Sequence, residues 1–309
     1  MSDQMVLRVL GSAAGGGFPQ WNCNCANCAG VRRGEPGLTA RTQSSVAWSR
    51  DGQDWLLFNA SPDILTQLQR NPELQPARQL RDTGIAAVCL MDAQIDHVTG
   101  LLMLRERGQP LELWATPEVL GDIATGFPLV GMLGHYCGVN THPLALDGSR
   151  QRWRFLPGAH AVPLPLSSKP PPYSPHRQAP RRGDNIGVSL VNESTGGRLF
   201  YAPGLGHINA EVWQAMEAAS VVLVDGTFWT GEEMIRAGLS QKHALDMGHL
   251  PMSGPGGMLE YLAQLPRTTR KVLIHINNTN PMLREGSPQR RTLDAAGVEL
   301  ALDGMDIRF

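Results

Sequence analysis

Three cysteines within six consecutive positions could together bind a metal ion. Cys23, Cys25 and Cys28 follow a C-x-C-x-x-C spacing, which a tight turn can bring to a single point. Zinc accepts thiolates in closed tetrahedral sites, so this spacing predicts one structural Zn²⁺ ion in a knuckle over residues 21–30. The chain has 5 cysteines, an odd number, which disfavours a disulfide framework.

The fourth ligand of this zinc site does not follow from the spacing. Cys89 and Cys137 are the remaining thiols, and both are candidates. Cys89 lies inside a continuous apolar run, however, where packing in the core is the better interpretation of a cysteine. The spacing alone therefore leaves the fourth ligand open.

A second group of metal-binding side chains lies in residues 91–97, Met-Asp-Ala-Gln-Ile-Asp-His. This segment resembles the H-x-H-x-D-H motif, by which enzymes of the metallo-β-lactamase fold bind two metal ions. Asp92 and Gln94 stand at the two leading histidines of that motif, whereas Asp96 and His97 match its closing pair. The resemblance implies that the first of the two metal sites is degraded.

Two later histidines follow the same family pattern. His160 comes shortly after a strand predicted over residues 153–156, and His275 lies at the end of a strand predicted from residue 272. By resemblance, they correspond to the second and the last histidine ligands of the family. The aspartate that bridges both metal ions in the family corresponds to Gly204, which implies that the bridge is lost.

The intact remainder is Asp96, His97 and His275, which offer one carboxylate and two imidazoles. Non-haem Fe(II) oxygenases use the same ligand composition in their facial triad, which leaves positions open for O₂ and substrate. Asp92 and His160 are further candidate ligands of this site. We therefore predict one catalytic Fe(II) ion per chain, at a site that zinc also occupies on purification.

Asp225 and His249 are predicted to lie beside this metal. Asp225 follows a strand predicted over residues 221–224, and it resembles the acidic residue of the ribonuclease Z and phosphodiesterase branch of the superfamily. That residue pairs with a histidine, which corresponds to His249 here. We expect Asp225 to orient His249, and keep Asp225 as a possible ligand. His249 is the predicted proton-transfer group, because free imidazole has a pKa near ~6.5.

Nearly the whole chain resembles the coenzyme PQQ (pyrroloquinoline quinone) synthesis protein B family. Residues 11–25, 92–97 and 275–281 carry this resemblance, and the first segment is specific enough to argue against a chance match. It implies iron- and O₂-dependent hydroxylation of the tyrosine ring of a PQQ precursor derived from glutamate and tyrosine. The implied partners are that precursor and other PQQ biosynthesis proteins. The alternatives are a carrier or transport protein for PQQ or its precursor, and a metal-dependent hydrolase.

The superfamily resemblance also bears on the fourth zinc ligand. Related phosphodiesterases share the cysteine knuckle and place its fourth ligand, a histidine, three residues after the last active-site histidine. Asn278 holds that position here. The resemblance therefore leaves Asn278, a water molecule or another side chain as the fourth ligand.

Composition and charge favour a small-molecule or peptide ligand. The 309 residues are 42% hydrophobic and 18% charged, and the formal net charge is -1. Such a balance gives no long-range attraction for nucleic acid or for an anionic membrane surface. The opening residues 1–4 show no secretory signal, and no apolar stretch approaches the ~20 residues of a membrane helix, so we expect a cytoplasmic protein.

The elements that must position these residues alternate along the chain. Strands are predicted over residues 5–10, 44–48, 55–58, 85–91, 111–115, 153–156, 186–191, 198–201, 221–224 and 272–276. Helices are predicted over residues 63–69, 98–104, 210–219 and 257–265, and from residue 117. This pattern favours an α/β fold, and the resemblance specifies the αββα sandwich of two mixed sheets with outer helices. We expect one domain over residues 1–309.

Residues 163–182 are rich in proline and in basic side chains, which predicts a long loop. Lys169, Arg177, Arg181 and Arg182 lie in this loop. Arginine forks suit carboxylates, so these cations either bind the carboxylates of a substrate or form an ordinary solvated surface.

Overall fold

The computed structural model describes residues 4–309. Met1, Ser2 and Asp3 lie outside the described residues, and they form most of the opening segment 1–4 in which no secretory signal is expected. The strands are β1 (Val6–Gly11), β2 (Ser45–Ser49), β3 (Trp55–Phe58), β4 (Ile85–Cys89), β5 (Leu111–Ala115), β6 (Val139–Pro143), β7 (Ala159–Pro165), β8 (Ile186–Asn192), β9 (Arg198–Ala202), β10 (Val221–Asp225), β11 (Arg270–Ile274), β12 (Val298–Leu300) and β13 (Asp306–Arg308). The α-helices are α1 (Ala26–Arg32), α2 (Ile64–Arg70), α3 (Ile95–Val98), α4 (Pro117–Thr125), α5 (Leu129–Leu133), α6 (Ala210–Glu217), α7 (Glu233–Arg236), α8 (Met258–Gln264) and α9 (Pro288–Ala296). Short 3₁₀ helices cover Pro72–Leu74, Thr99–Leu104, Leu245–Met247 and Pro281–Leu283.

The strands form two mixed sheets. The first has seven strands in the order β13-β1-β2-β3-β4-β5-β6, and the second has six in the order β12-β11-β10-β9-β8-β7. In the first sheet, β3 to β6 run parallel and the other pairs are antiparallel. In the second sheet, β9 to β12 run parallel, whereas β8 is antiparallel to both of its neighbours, β7 and β9. Each half of the chain therefore builds one sheet, and only β13 returns to the sheet of the other half.

Three clusters of buried apolar side chains define the layers. Trp48 and Ile274 belong to an inner cluster, which combines side chains of both sheets. Their neighbours Ala47 and Leu273 point to the opposite faces, into outer clusters that also contain residues of α2 and α4 on one side and of α6, α8 and α9 on the other. Because successive strand residues face opposite sides, both faces of each sheet are covered. This is the αββα sandwich predicted from the sequence.

The predicted strands are present with small shifts of their ends, except for residues 153–156, which form turns. Trp153 and Leu156 are buried in the inner cluster, so the apolar character of this segment reflects packing rather than a strand. The helix predicted from residue 98 begins earlier, at Ile95, and continues as the 3₁₀ helix Thr99–Leu104. Four strands escape prediction. β6 is largely polar, and β12 and β13 have three residues each. β7 ends with Pro163 and Pro165, inside the segment that was predicted as a loop over residues 163–182.

The carboxyl ends of three strands from the two sheets carry the predicted metal site. Residues 92–97 follow β4 of the first sheet, whereas Asp225 ends β10 and His275 follows β11 in the second sheet. β10 and β11 are parallel neighbours, with Asp225 beside Ile274, so their carboxyl ends lie together. Among the helices of residues 4–309, none combines the length and the apolar character that crossing a membrane requires.

Candidate metal centre

His97 is buried and is held by one ring nitrogen only. Its Nδ1 atom lies 2.7 Å from Asp92 Oδ1, a distance typical of a hydrogen bond to a carboxylate. Its Nε2 atom is buried without a hydrogen-bond partner in residues 4–309, and lies 3.7 Å from Asp96 Oδ2. A buried, unpartnered imidazole nitrogen is costly unless a further partner binds it, so this atom is a candidate metal ligand.

His275 faces the same carboxylate from the second sheet. It follows β11 with a backbone φ of +60°, an uncommon conformation for a residue with a side chain, which is typical of functional sites. Its Nε2 atom lies 3.5 Å from Asp96 Oδ2, and its Nδ1 atom lies 2.9 Å from Thr227 Oγ1. The Nε2 atoms of both histidines are therefore directed at Asp96.

A hydrogen-bond network around Asp225 supports His275 and His249. Thr227 Oγ1 lies 2.5 Å from Asp225 Oδ1, and His249 Nδ1 lies 2.6 Å from Asp225 Oδ2. The backbone N–H groups of Thr227 and Leu205 donate to the two carboxylate oxygens as well. Four donors saturate the acceptor sites of a carboxylate, so Asp225 orients its neighbours and has no free lone pair for a metal.

Thr227 is the residue that sequence reasoning missed. Its hydroxyl lies within hydrogen-bond distance of Asp225, of His275 and of His249 Nδ1, which is 3.1 Å away. A threonine has no metal-ligand signature, and the only sequence signal was its place two residues after the strand-end Asp225.

Asp96, His97 and His275 form a convergent ligand group, because one donor atom from each lies within 4.8 Å of the others. Burial raises the pKa of Asp96, but the charges of His97 and His275 outweigh it and lower the pKa of this carboxyl overall. Burial lowers the pKa of His97, but Asp92 and Asp96 outweigh it and raise this pKa to about 9. Positive charge is therefore stabilised here, and the buried donor atoms fit a divalent metal ion.

Gly15 of the glycine-rich loop after β1 lies against this group. A Cβ atom built at Gly15 would be 2.9 Å from Asp96 Oδ2, which is closer than such contacts allow. The loop is fixed there by the hydrogen bond from the Ala14 backbone N–H to the Ile276 carbonyl. The glycine thus permits the loop to close over the carboxylate.

Two of the predicted ligands take other positions. Asp92 is a partner of His97 Nδ1 and also accepts the Gln94 backbone N–H, so it orients His97 and is not part of the convergent group. His160 is the second residue of β7, at the opposite end of the second sheet from His275, and its Nδ1 atom pairs with Glu193. Neither residue belongs to the convergent group, and β7 brings Pro165 rather than His160 to the metal end.

Gln94 and Gly204 stand where dinuclear relatives are expected to carry a ligand and the bridge. The Gln94 side chain donates to the Lys169 carbonyl at 3.1 Å, so it holds the loop after β7. Gly204 follows β9, and a Cβ atom built there meets no atom within 4 Å. Neither residue supplies a metal-binding side chain at this centre.

The three knuckle cysteines converge as their spacing predicts. The sulfur atoms of Cys23, Cys25 and Cys28 lie within 4.8 Å of one another. The Asn278 side-chain amide lies 3.0 Å from Cys23 Sγ and 3.2 Å from Cys28 Sγ. Nitrogen and oxygen of an amide are assigned from the hydrogen-bond pattern, so its oxygen can equally face the sulfur atoms as a fourth ligand.

The other two thiols lie elsewhere. Cys89 ends β4 in the inner apolar cluster, and Cys137 packs partly buried in an outer cluster, so neither joins the knuckle. Burial and the neighbouring thiols Cys23 and Cys28 raise the pKa of Cys25 to about 11. Crowded thiolates repel one another, and a bound zinc ion removes that cost.

One cavity, of about 790 Å³, is not at the metal centre. It is lined by Ile85 and Leu111, the first residues of β4 and β5, and therefore lies at the opposite end of these strands. A second cavity, of about 510 Å³, is lined by Gly248, which precedes His249. The smaller cavity is the one that adjoins the candidate chemistry.

The fold and the ligand group define a class of protein. A family model for the β-lactamase superfamily domain matches residues 54–276, which is more than half of the chain. The chain therefore belongs to the β-lactamase superfamily and has the metallo-β-lactamase fold. Within that superfamily it belongs to the coenzyme PQQ synthesis protein B family, as the following similarities show.

The coenzyme PQQ synthesis protein B of Azoarcus sp. strain BH72 is 62% identical to this chain over 301 residues, which cover 97% of this chain and 99% of the relative. The solved structure of Zn²⁺-bound PqqB from Methylobacterium extorquens is 37% identical, with a TM-score of 0.88 over 98% of this chain and 99% of that one. A diphosphatase of the PhnP family is 18% identical with a TM-score of 0.68 over 99% of this chain and 97% of that one, which shows a shared fold.

Proposed function

We propose that this chain binds Fe(II) at Asp96, His97 and His275 and hydroxylates the tyrosine ring of a PQQ precursor derived from glutamate and tyrosine. The observation that carries the proposal is the convergence of one carboxylate and two imidazole nitrogens, while the neighbouring candidates Asp225 and His249 are paired with each other at 2.6 Å. Such a set leaves coordination positions for O₂ and substrate. Family membership supports the place of the reaction in PQQ biosynthesis.

Fe(II) bound to these residues would supply the activation of O₂. Insertion of one oxygen atom into a ring C–H bond takes two electrons and two protons from an external reductant and releases one molecule of water. His249 supports the proton movements, because its Nδ1 atom is held by Asp225 and its Nε2 atom is left to exchange a proton. Burial lowers the pKa of His249, but the charge of Asp225 outweighs it and raises this pKa overall.

Zinc at the same site would give an inactive form, because Zn²⁺ has no redox change. The PqqB structure from Methylobacterium extorquens is described as Zn²⁺-bound, which is consistent with a site of this ligand type accepting zinc. In the usual affinity order zinc binds such ligands more tightly than Fe(II). The metal present after purification is therefore a poor guide to the active metal.

The direct test supplies Fe(II) to apoprotein under anaerobic conditions, followed by precursor, ascorbate as reductant and O₂. We expect mass spectrometry to find a product heavier than the precursor by one oxygen atom, derived from ¹⁸O₂ when this gas is used. Precursor that binds and stays unchanged over a range of reductants would overturn the hydroxylase and support the alternative of a carrier. A product formed by adding water would support the metal-dependent hydrolase instead.

The role of His249 can be separated from metal binding. We expect His249→Ala to retain one equivalent of Fe(II) and to lose about 10²–10⁴-fold in turnover, as is usual for a general acid–base group. Arg236→Ala, on the exposed end of α7, is a control that should keep both. Loss of iron in His249→Ala would make His249 a ligand.

A further inference from the structure

The cavity of about 510 Å³ lies between the loop after β7 and the residues that precede α6 and His249. Its lining includes Lys169, Arg181, Arg182, Asn209 and Gly248. Three cationic side chains line it, whereas no carboxylate side chain among residues 4–309 does. A concave surface of one charge sign attracts and concentrates ligands of the opposite sign.

Arg181 is the cation with the greatest freedom to bind a ligand. Its guanidinium group has no hydrogen-bond partner within residues 4–309. Lys169 Nζ donates to the Asp246 carbonyl at 2.8 Å, whereas Arg182 donates to the Leu146 carbonyl at 3.2 Å and lies 3.8 Å from Glu211 in the first turn of α6. The backbone at Arg181 is nevertheless fixed, since its N–H donates to Asp184 Oδ2 at 2.6 Å. Asp184 is buried. A guanidinium group that has no partner, on a backbone that is already fixed, is well placed to bind an incoming anion.

The N-terminus of α6 adds to the positive potential of this cavity. Asn209 caps α6, and its side chain accepts the Val212 backbone N–H at 2.9 Å. The N-terminal end of a helix carries partial positive charge from its aligned peptide dipoles. Since Asn209 lines the cavity, the helix dipole and the cationic side chains act in the same direction.

Two contacts connect the cavity to the metal centre. Gln94, in the segment that carries Asp96 and His97, donates to the Lys169 carbonyl at 3.1 Å. Gly248, which lines the cavity, precedes His249 and accepts the Ser168 hydroxyl at 3.3 Å. A ligand in the cavity is therefore next to both the metal-binding segment and the proton-transfer residue.

We propose that this cavity is a carboxylate-binding subsite, in which Arg181 and Lys169 hold the acidic groups of a substrate whose aromatic ring reaches the metal centre. The inference rests on the proposed function for the position of the ring, but carboxylate binding itself requires no turnover. Arginine forks bind carboxylate and phosphate alike, so the test must separate these two ligand chemistries.

The test measures binding by isothermal titration calorimetry to the zinc-loaded protein, which holds the site without turnover. The probes are the dipeptide Glu-Tyr, its analogue Gln-Tyr-amide, which has the same α-amino group but no carboxylate, and inorganic pyrophosphate. We expect Glu-Tyr to bind more than tenfold more tightly than the other two probes. Arg181→Gln should weaken Glu-Tyr binding about tenfold or more and leave binding of the amide unchanged, with partial recovery in Arg181→Lys.

Arg177→Gln is the matched control. Arg177 lies in the same loop and has the same charge, but its guanidinium donates to the Pro170 carbonyl and does not line the cavity. Its removal should leave the Glu-Tyr affinity within about twofold of the wild type.

Three results would overturn the subsite. The first is that wild type and Arg181→Gln bind Glu-Tyr equally well, or that neither binds it. The second is an equal loss in Arg177→Gln, which would indicate a general effect of charge. The third is tighter binding of pyrophosphate that is weakened in Arg181→Gln, which would assign the cavity to phosphate. A protein that binds Glu-Tyr through Arg181 but never inserts oxygen would refute the proposed hydroxylation and leave the subsite in place.

Discussion

The imidazole of His275 is held by a hydroxyl group, whereas His97 and His249 are held by carboxylates. A threonine hydroxyl has one proton to donate, and the short contact to Asp225 Oδ1 identifies that carboxylate as its acceptor. Thr227 must then accept the Nδ1 proton of His275. The result fixes the tautomer in which the Nε2 atom of His275 is free to bind a metal.

Removal of this hydroxyl should weaken metal binding without removing a ligand. We expect Thr227→Val to bind Zn²⁺ at the active centre about 10–100-fold more weakly, which is the usual cost of losing a group that orients a ligand. Thr227→Ser keeps the hydroxyl and should restore most of the affinity. Titration against a competing chelator measures both values. Unchanged affinity in Thr227→Val would show that the backbone alone orients His275.

The ligand group itself predicts one metal ion per active centre. His97→Ala and His275→Ala should each abolish Fe(II) binding and oxygen insertion, because each removes one of three protein ligands. Gln94→Ala should spare metal binding, since the Gln94 amide is directed at the Lys169 carbonyl. Metal analysis alongside activity checks all three variants. Normal iron binding and oxygen insertion in His97→Ala would require a site built from other residues.

Residue types predicted part of the metal centre, whereas the roles of the other residues depend on how their side chains are oriented. Asp96, His97 and His275 were predicted from their resemblance to family ligands, and the structure brings them together. The orienting role of Asp92 could not be predicted, because the same carboxylate can face a metal or an imidazole depending on its rotamer. Thr227 was missed because a hydroxyl in this position has no distinctive pattern.

The segment after β11 connects the two predicted metal sites. His275 belongs to the active centre, and Asn278 lies against the knuckle sulfur atoms. Asn280 fixes the segment further, because its side chain donates to the Gly226 and Thr227 carbonyls. Asn27 of α1 donates to the carbonyls of Asn278 and Asn280. A structural zinc ion in the knuckle would therefore stabilise the backbone that carries His275.

Loss of the knuckle zinc should affect both stability and the active centre. We expect Cys25→Ser to contain about one zinc ion fewer per chain and to melt at a lower temperature, since structural zinc contributes directly to folding. The affinity of the active centre for Zn²⁺ should fall as well, because His275 shares the segment with Asn278. Cys137→Ser is the control thiol outside the knuckle. Unchanged zinc content in Cys25→Ser would remove the knuckle assignment.

The position of His160 away from the other predicted ligands depends on where its strand begins. A strand was predicted over residues 153–156, which placed His160 just after a strand end, where the family carries a ligand. Those residues form turns, and His160 instead lies at the beginning of β7. A short apolar segment buried by packing has the same local pattern as a short strand. Sequence periodicity could not distinguish them, and the position of His160 depended on that distinction.

The metal centre exists only where the two halves of the molecule meet. Asp96 and His97 follow a strand of the first sheet, whereas Asp225, Thr227 and His275 follow strands of the second. Alternation of strands and helices predicted an α/β fold, but strand order and sheet pairing depend on contacts distant in sequence. The family resemblance, rather than periodicity, therefore predicted the αββα arrangement.

Glu233 links the stability of the whole molecule to pH. It begins α7, and burial raises its pKa to about 7 from the ordinary 4.5, against the effect of hydrogen bonds from the Thr279 hydroxyl and the Trp229 N–H. A carboxyl group with a raised pKa binds more protons in the folded state than in the unfolded state. The contribution of Glu233 to the free energy of unfolding must then fall as pH rises from about 4.5 to about 7, and stay lower above that range.

Glu233→Gln should remove this pH dependence, because an amide keeps both hydrogen-bonding partners and cannot ionise. We expect the variant to be more stable than the wild type at pH 8 by up to roughly 3 kcal/mol, and to differ little from it near pH 4.5. Glu232→Gln is the matched control, since Glu232 is exposed and pairs with Arg236 one turn away. Urea unfolding at a series of pH values measures the differences. If the free energy of unfolding changed with pH in the same way in wild type and Glu233→Gln, the pKa of Glu233 would not be raised by burial.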